Sequence, residues 1–417
     1  MTTPKLVEHF FRHEYGRLVA MLSRRVGVRH IEDVEDAVQS ALMTALDAWI
    51  VAGLPDNPSA WLYRVAHNEL IGELRQRTGR HRILEKNAKV DIGNMKNDPE
   101  IFLAGEVRDD LLRMLFVCCD EVIPVESQLV FALKTLCGFS IQEIALRLFI
   151  SEANVYKRLG RARSCLRRLQ PQTDELTSAQ YSVRLSSVNK VLYLLFTEGY
   201  LSSHTEQAIR QELCNEAIRL ATLLAEHQVG QNPETFALLA LMHLHAARIT
   251  ARQDESGGLL LLEEQDRELW DKQEIQVGLE WLAKSAYGDA FSRYHAEAGI
   301  AAEHCLAHSF QDTRWDKIVE CYSMLERIAP SALHKLNRAV AVAEWKGPAV
   351  GLAVLKGFEP PTWLAGSYLW SAVLADLHQR CGNTQTANIY RDVALKSAPS
   401  RAVKELLQRR LGTDHVG

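Results

Sequence analysis

No segment limits the fold more than Gly138 to Leu169, GFSIQEIALRLFISEANVYKRLGRARSCLRRL. Two apolar patterns of helical period lie here with only about three residues between them. In the first, Ile141, Ile144, Ala145 and Leu148 share a face, and Gly138 and Ser140 mark its start. In the second, capped by Ser151, the residues Val155, Leu159, Ala162, Leu166 and Leu169 fall along one side. Two helices joined this tightly, the second basic on its outer face, form a helix-turn-helix pattern. Ser151, Asn154, Lys157, Arg158 and Arg161 are its candidate DNA-binding residues. Asn154, Lys157 and Arg161 face base edges, and Arg158 and the later arginines face phosphates. A solvated charged face is the plainer alternative, but such a face usually mixes signs. Residues 152–168 carry six basic side chains and one acidic one.

The segments before it are also helical. DVEDAVQSALMTALDAW places Val34, Val38, Ala41, Leu42, Ala45 and Trp49 at helical spacing. Its acidic start sets Glu32, Asp33, Asp36 and Gln39 around the exposed side, where acidic groups also suit a helix N-terminus. GLPDNPS then breaks the chain, and the next helix begins at about Ser59. On that helix Trp61, Arg64, Asn68 and Arg75 share one stripe, and Arg77 continues it. An aromatic, an amide and guanidinium groups on one stripe suit unstacked bases and their phosphates. A core tryptophan beside solvated arginines is the competing reading.

After a polar joint at 170–180 the chain turns to long helices rich in alanine and leucine, and a repeat appears. GNTQTANIYRDVALKSAP sets Gly382, Ala387, Tyr390, Ala394 and Pro399 at the small, aromatic and helix-ending positions of a tetratricopeptide unit. TRWDKIVECYSMLERIAP ends at Pro330 in the same phase, and Gly347 matches Gly382 apart from one extra residue. Helical hairpins are therefore expected over residues 299–412, and less regularly over 183–250. The acidic piece ARQDESGGLLLLEEQDRELWD, residues 251–271, interrupts the pattern without suggesting a role.

Helix formers dominate and no run of alternating β-branched residues stands out, so an all-α chain is expected. Its 417 residues exceed one compact core. The expected division is a helical domain at 1–85, a linker at 86–108, the helix-turn-helix domain at 109–170, a linker at 171–182 and a repeat domain at 183–417. The net charge of −4 conceals an uneven split. Residues 1–170 hold 24 Lys and Arg against 22 Asp and Glu, and the remainder holds 24 against 30. Eight scattered cysteines, among them the Cys118–Cys119 doublet, form no C-x-x-C pair and read as reduced thiols. The N-terminus MTTPKLVEHFFRHEYG lacks the uncharged apolar stretch of a signal peptide, so a soluble cytoplasmic protein is expected.

Together these pieces resemble bacterial sigma factors of the extracytoplasmic-function type. DVEDAVQSALMTAL resembles the helix that docks on the polymerase clamp. NPSAWLYRVAHNELIGELRQR resembles the segment that recognises and melts the −10 element. GFSIQEIALRLFISEANVYKRLGRARSCLRRL resembles the helix-turn-helix that reads the −35 element. DDLLRMLFVCCDEVIP and KVLYLLFTEGY narrow the resemblance to the long subgroup with a tetratricopeptide-like C-terminal extension. Gly72 departs from the pattern, where the family more often has an aspartate.

The resemblance implies that Asp33, Asp36 and Gln39 bind core RNA polymerase. It implies that Trp61, Arg64, Asn68, Arg75 and Arg77 hold the −10 strand, while the helix-turn-helix fixes the −35 duplex. Promoter DNA and core polymerase are then the partners, and a protein or small molecule is a possible partner of the C-terminal domain. No membrane, cofactor or metal is called for, and no enzymatic chemistry. His295, His304 and His308, with Glu303, lack a matched H-E-x-x-H pattern. Two other readings compete: a one-component helix-turn-helix regulator that does not bind polymerase, and a repeat scaffold without a nucleic-acid role.

Overall fold

The computed structural model describes residues 3–84, 104–148, 150–168, 178–200, 209–254 and 258–412. The described residues form helices joined by turns. A single bridge between Gln253 and Leu259 is the one isolated β-pairing among them. The all-α expectation therefore holds.

The chain divides into two units, residues 1–191 and 192–417. The first contains α1 (Thr3–Val26), a 3-10 turn at Val28–His30, α2 (Ile31–Ala52) and α3 (Pro58–Leu84). It continues with α4 (Ala104–Cys118), α5 (Val125–Thr135), α6 (Ile141–Leu148), α7 (Glu152–Arg168) and the first part of α8 (Ser178–Tyr200). The break after α2 falls at Gly53, whose φ of +79° lies outside the helical range, and the Asn57 side chain caps α3 by accepting from Ala60 N. Leu18, Leu22, Val34, Val38, Leu62 and Leu70 are buried on α1, α2 and α3, and Phe116, Phe131, Phe139, Val155, Leu159 and Leu166 are buried between α4 and the end of α7. Val155, Leu159, Ala162 and Leu166 are buried along α7 as their spacing requires, while Leu169 lies outside the described residues.

Most of the expected linkers at 86–108 and 171–182 also lies outside the described residues. Their described ends are helical, because α4 begins at Ala104 and α8 at Ser178. The division between the units falls inside α8 rather than before it. Arg184 on α8 explains why the first unit extends so far. It is nearly buried, pairs with Asp120 at 2.6 Å and donates to the Phe116 carbonyl, while Tyr181 meets the Phe116 ring edge-on.

The second unit contains α9 (Gln211–Glu226), α10 (Pro233–Ala246), α11 (Lys272–Ser285), α12 (Arg293–Leu306), α13 (Trp315–Ile328) and α14 (Ala332–Lys346). Then follow α15 (Pro348–Leu355), α16 (Thr362–Ala365), α17 (Tyr368–Arg380), α18 (Thr384–Lys396) and α19 (Arg401–Leu411). Consecutive helices pack as hairpins, α14 on α15 and α17 on α18 among them. Gly347 and Gly382 sit at the two equivalent turns with φ of +94° and +78°, a backbone region closed to most side chains. Their matching phase in the sequence thus has a conformational cause. Ala387 and Ala394 are buried where α18 approaches α17. The acidic insertion is no surface ornament. Its Leu259 joins the terminal core with Val403, Leu407 and Leu411, and Arg409 donates to the Leu259 carbonyl.

Candidate nucleic-acid interface

On α7 the outer face forms as the sequence predicts. Ser151 caps the helix by accepting from Asn154 N at 3.2 Å. Ser151, Lys157 and Arg161 are exposed, and Asn154 and Arg158 are half-buried. In α6 a capping box closes the start, with Ser140 N donating to Glu143 and Glu143 N to Ser140 Oγ. Two of the basic residues already have partners. Arg158 donates to the Glu126 carbonyl at 3.3 Å, and Arg161 lies 3.7 Å from the Glu126 carboxylate. Both remain on the surface, where such contacts cost little to break.

The α3 stripe is presented unevenly. Arg64, Asn68, Arg75 and Arg77 are exposed. Trp61 is half-buried, with its ring 5.5 Å from that of Trp49, which also meets Phe10 and Phe11. Part of the ring therefore belongs to an aromatic cluster and only the remainder is open to a base.

The acidic helix departs most from expectation. Asp33 is not on the exposed side but buried at 8% exposure, because it shares the inward arc of α2 with Val34, Ala37 and Val38. Its carboxylate is neutralised by Arg77 and lies 3.3 Å from His30 Nδ1. Two residues assigned to different partners, Asp33 for polymerase and Arg77 for the −10 strand, are thus paired with each other. Asp36 and Gln39 remain exposed. Burial and the nearby Glu35 raise the Tyr15 hydroxyl well above its ordinary value, so it stays neutral.

Sequence reasoning missed the group that joins these helices. Glu35 is 1% exposed. It accepts from Arg163 Nη2 at 2.5 Å and from Thr135 Oγ1 at 2.8 Å. Arg163 also meets Glu32 at 3.3 Å, and Arg167 meets Glu32 at 3.8 Å. Burial opposes the Arg163 charge, but Glu35 and Glu32 more than offset it and raise its pKa. The acidic edge of α2 is therefore clasped by the back of the basic helix. Nearby, Gly16 approaches the Leu136 backbone so closely that a Cβ would lie 2.1 Å from its carbonyl oxygen. A buried partner 128 residues away leaves no periodic signal in the sequence. Also missed were Met43, Leu46, Ile50 and Val51, large apolar side chains exposed along the outer face of α2. The spacing of Met43, Leu46 and Ile50, three and then four residues, was the available clue.

The doublet thiols are buried. Burial raises Cys118 well above the ordinary thiol range and Cys119 to about 12, which suits packing rather than redox chemistry. No group of three or more metal-ligating side chains occurs among the described residues, and none of their helices is long and apolar enough to cross a membrane.

Residues 10–80 match the model of sigma-70 region 2, and residues 115–166 match sigma-70 region 4. Residues 184–286 match a family of unknown function, DUF6596. An uncharacterized protein, R00370, of Rhizobium meliloti (strain 1021) is 32% identical over 389 residues, covering 93% of this chain and 91% of its own length. No solved structure matches the chain.

Proposed function

The chain belongs to the sigma-70 family as an extracytoplasmic-function-like sigma factor with a C-terminal extension, and from that premise we propose how its parts divide the work. It binds core RNA polymerase and directs promoter-specific transcription initiation. In our reading it does so in the cytoplasm by binding alone, without catalysing a reaction.

Asp36 and Gln39, with the exposed apolar run Met43, Leu46 and Ile50, form the polymerase-docking face of α2. Asp33 supports that face by fixing Arg77. Arg64, Asn68 and Arg75 meet the opened −10 strand, with Trp61 offering a partial stacking surface and Arg77 a phosphate contact once released. Asn154, Lys157 and Arg161 read −35 base edges, while Ser151 and Arg158 hold the backbone.

The clasp between Glu35 and Arg163 carries the reading further. Elements at −10 and −35 lie about 25 base pairs apart, roughly 85 Å along B-form DNA. A 191-residue unit is only about 40 Å across by ordinary size scaling. With α7 held on α2, one molecule does not span both elements, so the clasped arrangement is a resting form and promoter engagement opens it. The extension at 192–417 acts as a regulatory or docking domain fused to this switch.

Run-off transcription with and without the extension tests that division. The cut belongs after Val191, because ending at Arg168 removes Arg184 from its buried partner Asp120. Changed activity, in either direction, supports a regulatory role; unchanged promoter-specific activity contradicts it.

A further inference from the structure

Glycines within the α-helices of this molecule fall into two classes. Each such glycine lowers its helix's equilibrium roughly two- to fivefold relative to alanine, because it surrenders the most backbone freedom. Five of them have a steric reason inside the chain. A Cβ built on Gly16 would lie 2.1 Å from the Leu136 carbonyl oxygen, and one on Gly199 would lie 2.8 Å from Cys214. On Gly278 it would lie 2.7 Å from the Leu244 side chain, on Gly299 3.1 Å from Cys321 Sγ and on Gly351 2.6 Å from Ala343 Cβ. In each case a neighbouring segment occupies the space that a side chain would need.

Gly72 and Gly160 are different. Both lie well inside long helices, Gly72 in α3 and Gly160 in α7, and neither has the positive φ of the turn glycines. Both are exposed, and a Cβ on either would meet nothing within 4 Å. Among the described residues nothing calls for glycine at these two positions, and alanine would strengthen either helix.

Their places on the helix surface coincide with the two faces assigned to nucleic acid. At about 100° per residue Gly72 falls on the stripe of Trp61, Arg64, Asn68 and Arg75, four residues after Asn68 and three before Arg75. Arg64, Asn68 and Arg75 are exposed around it, while Leu62, Ala66 and Leu70 are buried on the other side of α3. On α7 Gly160 follows Lys157 by three residues and precedes Arg161 by one. It faces away from the buried line of Val155, Leu159, Ala162 and Leu166. The two helix glycines without an internal reason are therefore distributed one to each face.

We propose that Gly72 and Gly160 are contact points at which nucleic acid comes against the helix backbone, the opened −10 strand at Gly72 and the −35 duplex at Gly160. The inference rests on the promoter reading above and adds how closely each face is approached. A side chain holds a partner off by its own thickness. Without one, a sugar or a base edge reaches van der Waals contact with the backbone itself. The flanking groups then reach further. Lys157 and Arg161 enter the groove more deeply on either side of Gly160, and Asn68 and Arg75 close on a strand lying across Gly72. The weakening of each helix is present in the free protein and is offset only when nucleic acid fills the gap.

Alanine substitution tests this, because it separates stability from binding. The free full chain gains: G160A and G72A each raise the urea midpoint of the first unit by roughly 0.3–0.5 M. Binding loses, since an added methyl group in a close-packed contact is poorly accommodated. In complex with core polymerase, G160A lowers affinity for DNA carrying the −35 element roughly tenfold, and G72A lowers affinity for a promoter fragment pre-opened at −10 by a similar factor. Affinity for core polymerase itself stays at the wild-type value in both. R161A and R75A are the reference variants. If R161A weakens −35 binding and G160A does not, the inference is overturned and the promoter reading stands; if neither weakens it, both fall. R75A and G72A decide the −10 side in the same way. A loss of affinity accompanied by a lowered urea midpoint is loss of the helix, and it also overturns the proposal.

Discussion

Replacing Arg163 with alanine gives the sharpest test of the clasp. Glu35 is 1% exposed and the Arg163 side chain about a fifth exposed, so the pair is largely but not wholly desolvated. Removing one partner of a buried pair costs about 3–5 kcal/mol, and the partial exposure of Arg163 argues for the lower end, about 3 kcal/mol. In the open form both groups are hydrated, so the loss falls on the closed form. At about 1.4 kcal/mol per decade this is roughly a 150-fold shift toward the open form. The surface pair of Arg167 with Glu32 is worth about 0–1 kcal/mol, at most some fivefold. Donor and acceptor dyes at the exposed positions Ala52 at the end of α2 and Tyr156 on α7 report the separation in the full-length protein, and unlabelled protein reports polymerase affinity. R163A lengthens the mean distance and tightens binding to core polymerase, and R167A changes each little. An R163A protein with wild-type distance and wild-type polymerase affinity would refute the argument.

Four other outcomes follow from the same geometry. N154A, K157A and R161A lose −35 selectivity while keeping polymerase binding, at about 1–3 kcal/mol for each good base contact; competition between matched and altered −35 duplexes measures it, and retained selectivity contradicts the assignment. K157A distinguishes its roles by salt: a phosphate contact lowers the slope of log K against log salt by about 1, and a base contact leaves it. Gly16→Ala drives a Cβ into the Leu136 carbonyl and costs about 1–3 kcal/mol, read as a lower urea midpoint for the first unit; an unchanged midpoint argues against the close approach. His304 is depressed to about 3 and His245 well below its ordinary value, both chiefly by burial. Their stabilising neutrality is complete above the unfolded pKa near 6.5 and lost as pH falls below it, about 2 kcal/mol at pH 5 for His304, with His245 acting in the same direction. A second unit equally stable to urea at pH 7.5 and pH 5 would contradict that burial.

What was legible in the sequence was whatever repeats at short range. The buried face of α7, the Ser151 cap and the glycine turns at Gly347 and Gly382 each follow from neighbours within a turn or a hairpin. Exposure of a single residue was harder to read. Asp33 looked like part of a solvated ring, because a carboxylate on an inward arc is improbable until Arg77 is known to reach it. Glu35 and Arg163, and likewise Arg267 with the carbonyls of His304 and Ala307, depend on helices that approach only in three dimensions. The acidic insertion hid its role for the same reason, since Leu259 and Trp270 sit among charged residues that mask two buried anchors.

Sequencing of transcript 5′ ends tests the central claim most directly. Core polymerase is supplied with this chain on sheared genomic DNA, alongside its N154A, K157A and R161A variants. The account predicts starts that cluster downstream of a shared −35 and −10 pair, and a loss of the −35 preference in the variants. Starts no different from those of core polymerase alone would contradict it.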